Sequence, residues 1–241
     1  MSVIISLHSS DGIVVGADRR TTVRENGVVR YSDETCKIFP FSEGIVIAHC
    51  GDNRMSKDLT VHDFLKKAKR KFQKVSIFDL PTKLLSYYID CGYRAKVIFH
   101  ICGYGIGGLP IIYLIRTENK TIEVMSSGFG DYNWVCSGTT DVATPILRDC
   151  DINNLSVQES INLVICAVES SITAYKYRKE QVIGGVTDIY VITDDFEGWI
   201  LNNDISPVQI VRDEEITKLL QAKLFKNLTK ENESCKSQKR K

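Results

Sequence analysis

Residues 2–22 read SVIISLHSSDGIVVGADRRTT, two β-branched apolar runs separated by the polar segment Ser9-Ser10-Asp11-Gly12. Strand formers on either side of a short Asp-Gly-containing segment are a hairpin signal. In the first run Val3, Ile5 and Leu7 alternate with less apolar neighbours, the pattern of a strand apolar on one face. The second run, Ile13 to Ala17, is apolar throughout and predicts a strand covered on both faces. Pairing the two across the turn carries Ser2 towards Asp18 at the far end of the second strand. If Met1 is removed, Ser2 becomes the first residue and carries a hydroxyl nucleophile together with a candidate base, its own α-amine.

Outward from this hairpin, residues 45–48 read as a strand, and Leu59, Phe64, Leu65, Ala68, Phe72 and Val75 recur at helical spacing. Leu80, Leu84 and Tyr88 do the same in a segment opened by Pro81. Strands are predicted over 97–102, 111–115, 121–125 and 132–136, then a long helix through Val157, Ile161, Val164, Val168, Ile172 and Tyr175. A strand over 189–193 and a terminal helix with Ile216, Leu219 and Leu220 complete the pattern. Helices in blocks, without strict βαβ alternation, point to an α+β fold of stacked, mostly antiparallel sheets covered by helices. Gly103, Gly105 and Gly108 satisfy a dinucleotide-binding spacing, but the β-rich run from Pro110 replaces the required helix, so they read as a turn between strands.

The chain has 241 residues, 43% of them hydrophobic, enough to bury a large core. Residues 1–225 read as one domain and 226–241 as a polar, basic tail. Lys+Arg number 31 against 30 Asp+Glu, so no basic footprint announces a nucleic-acid partner. No signal peptide opens the sequence and no apolar run is long enough to span a membrane, which gives a cytoplasmic expectation. In that setting the eight cysteines are expected to be thiols. Without a C-x-x-C pair they are poor metal ligands, and Cys36 and Cys50, beside Lys37 and Gly51, are the candidates for thiol reagents.

Several segments, in order and at consistent spacing, carry a family resemblance: DGIVVGADRRTT, DETCKIFPF, IAHCGD, GYGIGGLPIIYLI, CSGTTD and IGGVTDIYVIT. Over roughly residues 2–200 the chain resembles the β-type subunits of the proteasome and their bacterial relatives, which are N-terminal nucleophile (Ntn) hydrolases. The resemblance implies a four-layer αββα sandwich. It makes Ser2 the nucleophile, Asp18 and Lys37 its charged supports, and Gly51 the donor to the oxyanion. Thr139 stands at a supporting Ser position, and Glu180 near the position of a second Asp, whereas Ile183 replaces a further hydroxyl before Gly184-Gly185. Thr21, His49 and Asn53 match the lining of the substrate side-chain pocket, a polar set that favours polar or small side chains over large aliphatic ones.

The chemistry explains the combination. A free α-amine has a pKa of about 7.7–8.0 and can take the hydroxyl proton near neutral pH. A lysine ammonium beside the pair favours the deprotonated hydroxyl and disfavours protonation of the amine, and a backbone N–H then stabilises the tetrahedral oxyanion. The resulting expectation is a serine- or threonine-type Ntn endopeptidase that needs no cofactor. It would hydrolyse peptide or unfolded protein inside a homo- or hetero-oligomeric ring fed by an ATP-dependent unfoldase. The alternatives are a non-catalytic subunit of such a ring and a small-molecule Ntn amidase. Taken singly, Asp18 and Lys37 read better as a surface ion pair and Gly51 as a turn residue; their shared spacing favours the catalytic reading.

Overall fold

The two β-branched runs form β1 (Val3–His8) and β2 (Ile13–Asp18), antiparallel with Ile4 opposite Ala17 and His8 opposite Ile13. The computed structural model describes residues 2–25, 28–126, 133–178 and 182–201. After the hairpin come β3 (Thr21–Glu25), β4 (Val28–Ser32), β5 (Ile38–Ser42), β6 (Ile45–Gly51), β7 (Arg54–Ser56) and β8 (Leu59–Thr60). Helices α1 (Val61–Phe72) and α2 (Leu80–Asp90) lead into β9 (Val97–Tyr104), β10 (Pro110–Arg116), β11 (Thr121–Ser126) and β12 (Trp134–Gly138). Then follow α3 (Ala143–Arg148), α4 (Val157–Tyr177), β13 (Thr187–Ile192) and β14 (Glu197–Leu201). The predicted terminal helix, the basic tail and the domain boundary at 225 lie outside the described residues.

Ten strands make two five-stranded antiparallel sheets, ordered β12-β1-β2-β13-β14 and β11-β10-β9-β6-β5. The small pairs β3-β4 and β7-β8 stand apart from them. The fold is therefore α+β with antiparallel sheets. The helices follow from local chemistry. Thr60 caps α1 and Ser156 caps α4, each in a reciprocal box with the acid three residues on, Asp63 and Glu159. Val61, Phe64, Leu65 and Ala68 then fall on one buried face of α1.

Three apolar clusters organise the core. Phe64, Leu65, Leu80 and Leu84 of α1 and α2 pack on Phe41, Ile47, Phe99 and Ile101 of the β5/β6/β9 sheet. Val164, Ala167 and Val168 of α4 pack with Leu147 of α3 on Val3, Ile5, Val14 and Ile189 of the other sheet. The third cluster joins the sheets, with Ile4, Val15 and Ala17 against Val46, Ala48, Ile112 and Leu114. Each fully buried Phe or Ile contributes roughly 1.5–3 kcal/mol.

One expectation about β1 is corrected by this arrangement. Its alternation suggested a half-covered strand, yet all six residues are buried, because Ile4 and Ser6 meet the second sheet while Val3, Ile5 and Leu7 meet the helices. Gly105, Gly107 and Gly108 form the β9–β10 connection, as a turn rather than a nucleotide site. No helix among the described residues is long and apolar enough to cross a membrane.

Candidate active site

Asp18, the last residue of β2, is wholly buried and its carboxylate has four donors. Oδ1 accepts from the Val3 backbone N–H at 2.9 Å and from Lys37 Nζ at 2.7 Å. Oδ2 accepts from the backbone N–H groups of Arg20 and Gly184, each at 3.1 Å. These bonds lock the start of β1 to the end of β2. Lys37, immediately before β5, also donates to the Arg20 carbonyl at 2.8 Å. Burial pulls its ammonium below the ordinary lysine value, and the Asp18 charge opposes that fall.

Ser2 is buried, with 5% of its surface exposed, and its carbonyl accepts the Thr139 backbone N–H at 2.7 Å. This contact requires glycine at the preceding position. Gly138 has φ +91°, and a Cβ there would lie 1.9 Å from the Ser2 carbonyl oxygen. The Thr139 hydroxyl is buried and has no hydrogen-bond partner among the described residues, which leaves it able to bond a group at the chain start.

Ser2, Lys37 and Gly51 line one cavity of about 520 Å³ together with Thr21, His49 and Asn53. Six of the nine residues singled out in the sequence thus share one space, and Asp18 and Thr139 touch it through Lys37 and Ser2. Glu180 lies outside the described residues. A second depression of about 430 Å³, lined by Pro40, Ser42, Lys69 and Glu197 among others, is more open and holds no buried ionisable group.

Gly51 ends β6 with φ +104°, and a Cβ there would stand 2.2 Å from the Lys96 carbonyl oxygen. Glycine is thus dictated by the backbone before any role in chemistry is considered. His49 is 3% exposed, and burial together with the Lys37 charge pushes it down to about 3, so its ring is neutral. Its backbone N–H donates to the Lys37 carbonyl at 2.9 Å, tying β6 to the cation.

The expectation that Cys36 and Cys50 are candidates for thiol reagents is corrected, although both are free thiols. Burial pushes Cys36 up to about 12 and Cys50 up to about 11, so both are protonated and unreactive near neutrality. Ile183, at the missing-hydroxyl position, is 2% exposed and belongs to the apolar cluster beneath α4. Sequence reasoning did not assign Gly184 its place as a donor to Asp18, nor the buried Arg19–Asp188 ion pair at 2.9 Å, nor Arg20 and Lys96 in the cavity wall. Arg20 adjoins Asp18 in the quoted motif and could have been found there, whereas Lys96 arrives from a strand start with no local signal.

No family model and no curated protein matches this chain. Among solved structures it is similar to the Anbu complex of Pseudomonas aeruginosa, solved as a helical assembly, at TM-score 0.65 and 14% identity, covering 91% of this chain and 95% of that one. It is also similar to a Gly-1 mutant of Anbu from Hyphomicrobium sp. strain MC1, at TM-score 0.64 and 13% identity over 94% and 97% of the two chains. The Anbu of Yersinia bercovieri, described as an ancestral beta-subunit, matches at TM-score 0.65 and 12% identity over 92% and 96%. At such identities the likeness is one of fold.

It corrects the reading from sequence. The proteasome β-type resemblance gives way to a fold likeness to Anbu, a proteasome-like but distinct family. Three of the segments quoted above contain Asp18, Gly51 and Gly184, positions that hydrogen bonding to Asp18 and the backbone at Gly51 constrain in their own right.

Proposed function

We propose that this protein is an amide-bond hydrolase that uses Ser2, exposed as the N-terminal residue by loss of Met1, as its nucleophile. The observation that carries the reading is the convergence of Ser2, Lys37 and Gly51 on one cavity, with Lys37 and the Val3 N–H sharing Asp18 Oδ1. The α-amine of Ser2 takes the hydroxyl proton as Oγ attacks the scissile carbonyl, and the Lys37 ammonium favours the resulting oxyanion character at Ser2. The Gly51 N–H receives the tetrahedral oxyanion. The amine returns its proton to the leaving nitrogen, and water, activated by the same amine, hydrolyses the ester on Ser2. The Thr139 hydroxyl, without a hydrogen-bond partner among the described residues, would bond the amine, and the resemblance assigns a supporting carboxylate to Glu180.

Thr21, neutral His49 and Asn53 make the adjoining pocket polar, so polar or small side chains before the scissile bond are favoured over Leu or Phe. The three clusters of apolar side chains support a four-layer αββα arrangement. The Anbu likeness supports function within an oligomeric assembly of like subunits; a cytoplasmic location and supply of unfolded polypeptide by an ATP-dependent unfoldase belong to the proposal alone. A second reading, a non-catalytic subunit of such an assembly, is favoured by one observation: Ile183 fills with a buried aliphatic chain the place where a hydroxyl would complete the hydrogen-bonding shell.

The test combines N-terminal sequencing of the purified protein with hydrolysis of a fluorogenic peptide panel by the wild type and Ser2→Ala. The expected result is a chain beginning at Ser2 and activity abolished in the folded variant. An active protein that retains Met1, or undiminished hydrolysis by Ser2→Ala, contradicts the mechanism.

A further inference from the structure

The proposed chemistry is assembled across a seam. Ser2 and Asp18 belong to the sheet containing β1 and β2, while Gly51 and His49 belong to the sheet containing β6 and β9. The faces meeting there are largely aliphatic, and apolar contact is non-directional, so it resists separation of the sheets far better than it resists sliding. A nucleophile and an oxyanion donor on opposite sides need more than that, since a 1 Å misplacement can cost about 10²-fold in rate.

His100 lies in this seam, on β9, with no exposed surface. Its Nδ1 is 2.9 Å from Ser6 Oγ and its Nε2 is 2.7 Å from Ser137 Oγ. The two serines stand on the adjacent strands β1 and β12 of the opposite sheet. Because each hydroxyl can donate or accept, both ring nitrogens are satisfied in either tautomer of the neutral ring. Shifting one sheet over the other would break both bonds and strand buried polar groups without partners.

The ends of this bridge adjoin the two halves of the site. Ser137 precedes Gly138 and Thr139, which close on the Ser2 carbonyl, and Ser6 shares β1 with the residues that follow Ser2. On its own sheet His100 pairs with Ala48 of β6, next to His49 and three residues before Gly51.

We infer that His100 is a positioning residue, which through Ser6 and Ser137 sets the distance between the nucleophile at Ser2 and the oxyanion donor at Gly51. The catalytic part of this inference rests on the function proposed above; the structural part, that His100 holds Thr139 against Ser2, does not.

Both parts are tested on the full chain with His100→Leu, His100→Gln and Ser137→Ala, and with Ser171→Ala as a control. Ser171 is a buried serine of α4 whose hydroxyl donates, among the described residues, only to the Ala167 carbonyl. His100→Leu keeps an aliphatic filling and is expected to lower kcat by about 10²-fold with KM within about twofold. His100→Gln, which can still reach Ser137, should recover at least about a tenth of wild-type kcat. Ser171→Ala should change stability without changing kcat. Amide hydrogen exchange at Thr139 is the readout that does not need turnover, and it should quicken about tenfold or more in His100→Leu and Ser137→Ala while staying unchanged in Ser171→Ala. If His100→Leu does not fold, Ser137→Ala decides. Unchanged Thr139 exchange in Ser137→Ala overturns the positioning role. A kcat loss in Ser171→Ala matching that of the His100 variants would assign the effect to stability alone and overturn it as well. A wild type that hydrolyses nothing sinks the proposed function, while the exchange result still decides the structural claim.

Discussion

The two sheets contribute unlike parts to the site. The β1/β2 side brings Ser2 and an Asp18 whose four hydrogen bonds leave it no freedom, so its geometry is set within a few residues of the first hairpin and the Gly184 turn. The β5/β6 side brings Lys37, His49 and Gly51, which are held by strand pairing, by one backbone bond from His49 to Lys37 and by the close approach of Lys96 to Gly51. One half is fixed by polar saturation and the other by backbone packing. The site therefore has two separable failure modes, loss of charge organisation on one side and loss of shape on the other.

Breaking the charge organisation should have the largest effect. Lys37→Met keeps length and removes the ammonium, leaving the buried Asp18 carboxylate without its cation. We expect peptide hydrolysis to fall by at least about 10³-fold, close to the loss from Ser2→Ala, because groups acting as a unit are not additive. Stability should fall too, by about 3–5 kcal/mol as for other broken buried pairs. Denaturant unfolding and initial rates measured together check both figures, and near-normal turnover would favour the non-catalytic reading.

Breaking the shape should act more narrowly. Gly51→Ala puts a Cβ against the Lys96 carbonyl in a backbone conformation that L residues rarely adopt. The end of β6 must move, and if Gly51 supplies the oxyanion donor, kcat should drop by about 10²–10³-fold. Asp18 lies on the other sheet, so the Lys37–Asp18 bond should survive, visible as an unaltered lysine ammonium resonance by NMR.

The smallest expected effect is one of pH and sharpens the contrast between the sheets, because the second sheet carries two neutral histidines within its core, His49 and His100. Burial pushes both down to about 3. Their values in the unfolded chain are about 6.5, so as pH falls below that point the unfolded state takes up protons that the folded state refuses. Stability is complete above about pH 6.5 and is lost progressively towards pH 3, at up to about 1.4 kcal/mol per pH unit for each ring. Between pH 7 and 5.5 urea unfolding should show a loss of about 2 kcal/mol from the pair, and His49→Gln should remove about half of it.

Much of this was legible in the sequence where the signal is local. The first hairpin, which brings the chain start beside Asp18, follows from two apolar runs around Ser-Ser-Asp-Gly, and α1, α2 and α4 follow from apolar periodicity, with Pro81 opening α2. What could not be read comes from partners distant along the chain. Ser6 looked like the polar face of a half-exposed strand because its partner, His100, lies 94 residues away. Ile183 looked like a defect in a polar shell, and only the packing of α4 over β13 reveals it as a core residue. The short α3 with Pro145 in its first turn, the β3–β4 pair and the edge strand β14 carry too little periodicity to be distinguished from loops. The family reading likewise rested on short segments, and the likeness found among solved structures is one of fold.

The central claim is that the hydroxyl of Ser2, at a free N-terminus, forms an acyl ester during turnover. Its most direct measurement is peptide-mapping mass spectrometry after incubation with an acylating β-lactone. The account predicts one acyl adduct per chain, located on Ser2 of a protein lacking Met1, absent from Ser2→Ala and strongly reduced in Lys37→Met. An adduct located elsewhere, or no adduct on a correctly folded chain that begins at Ser2, would contradict it.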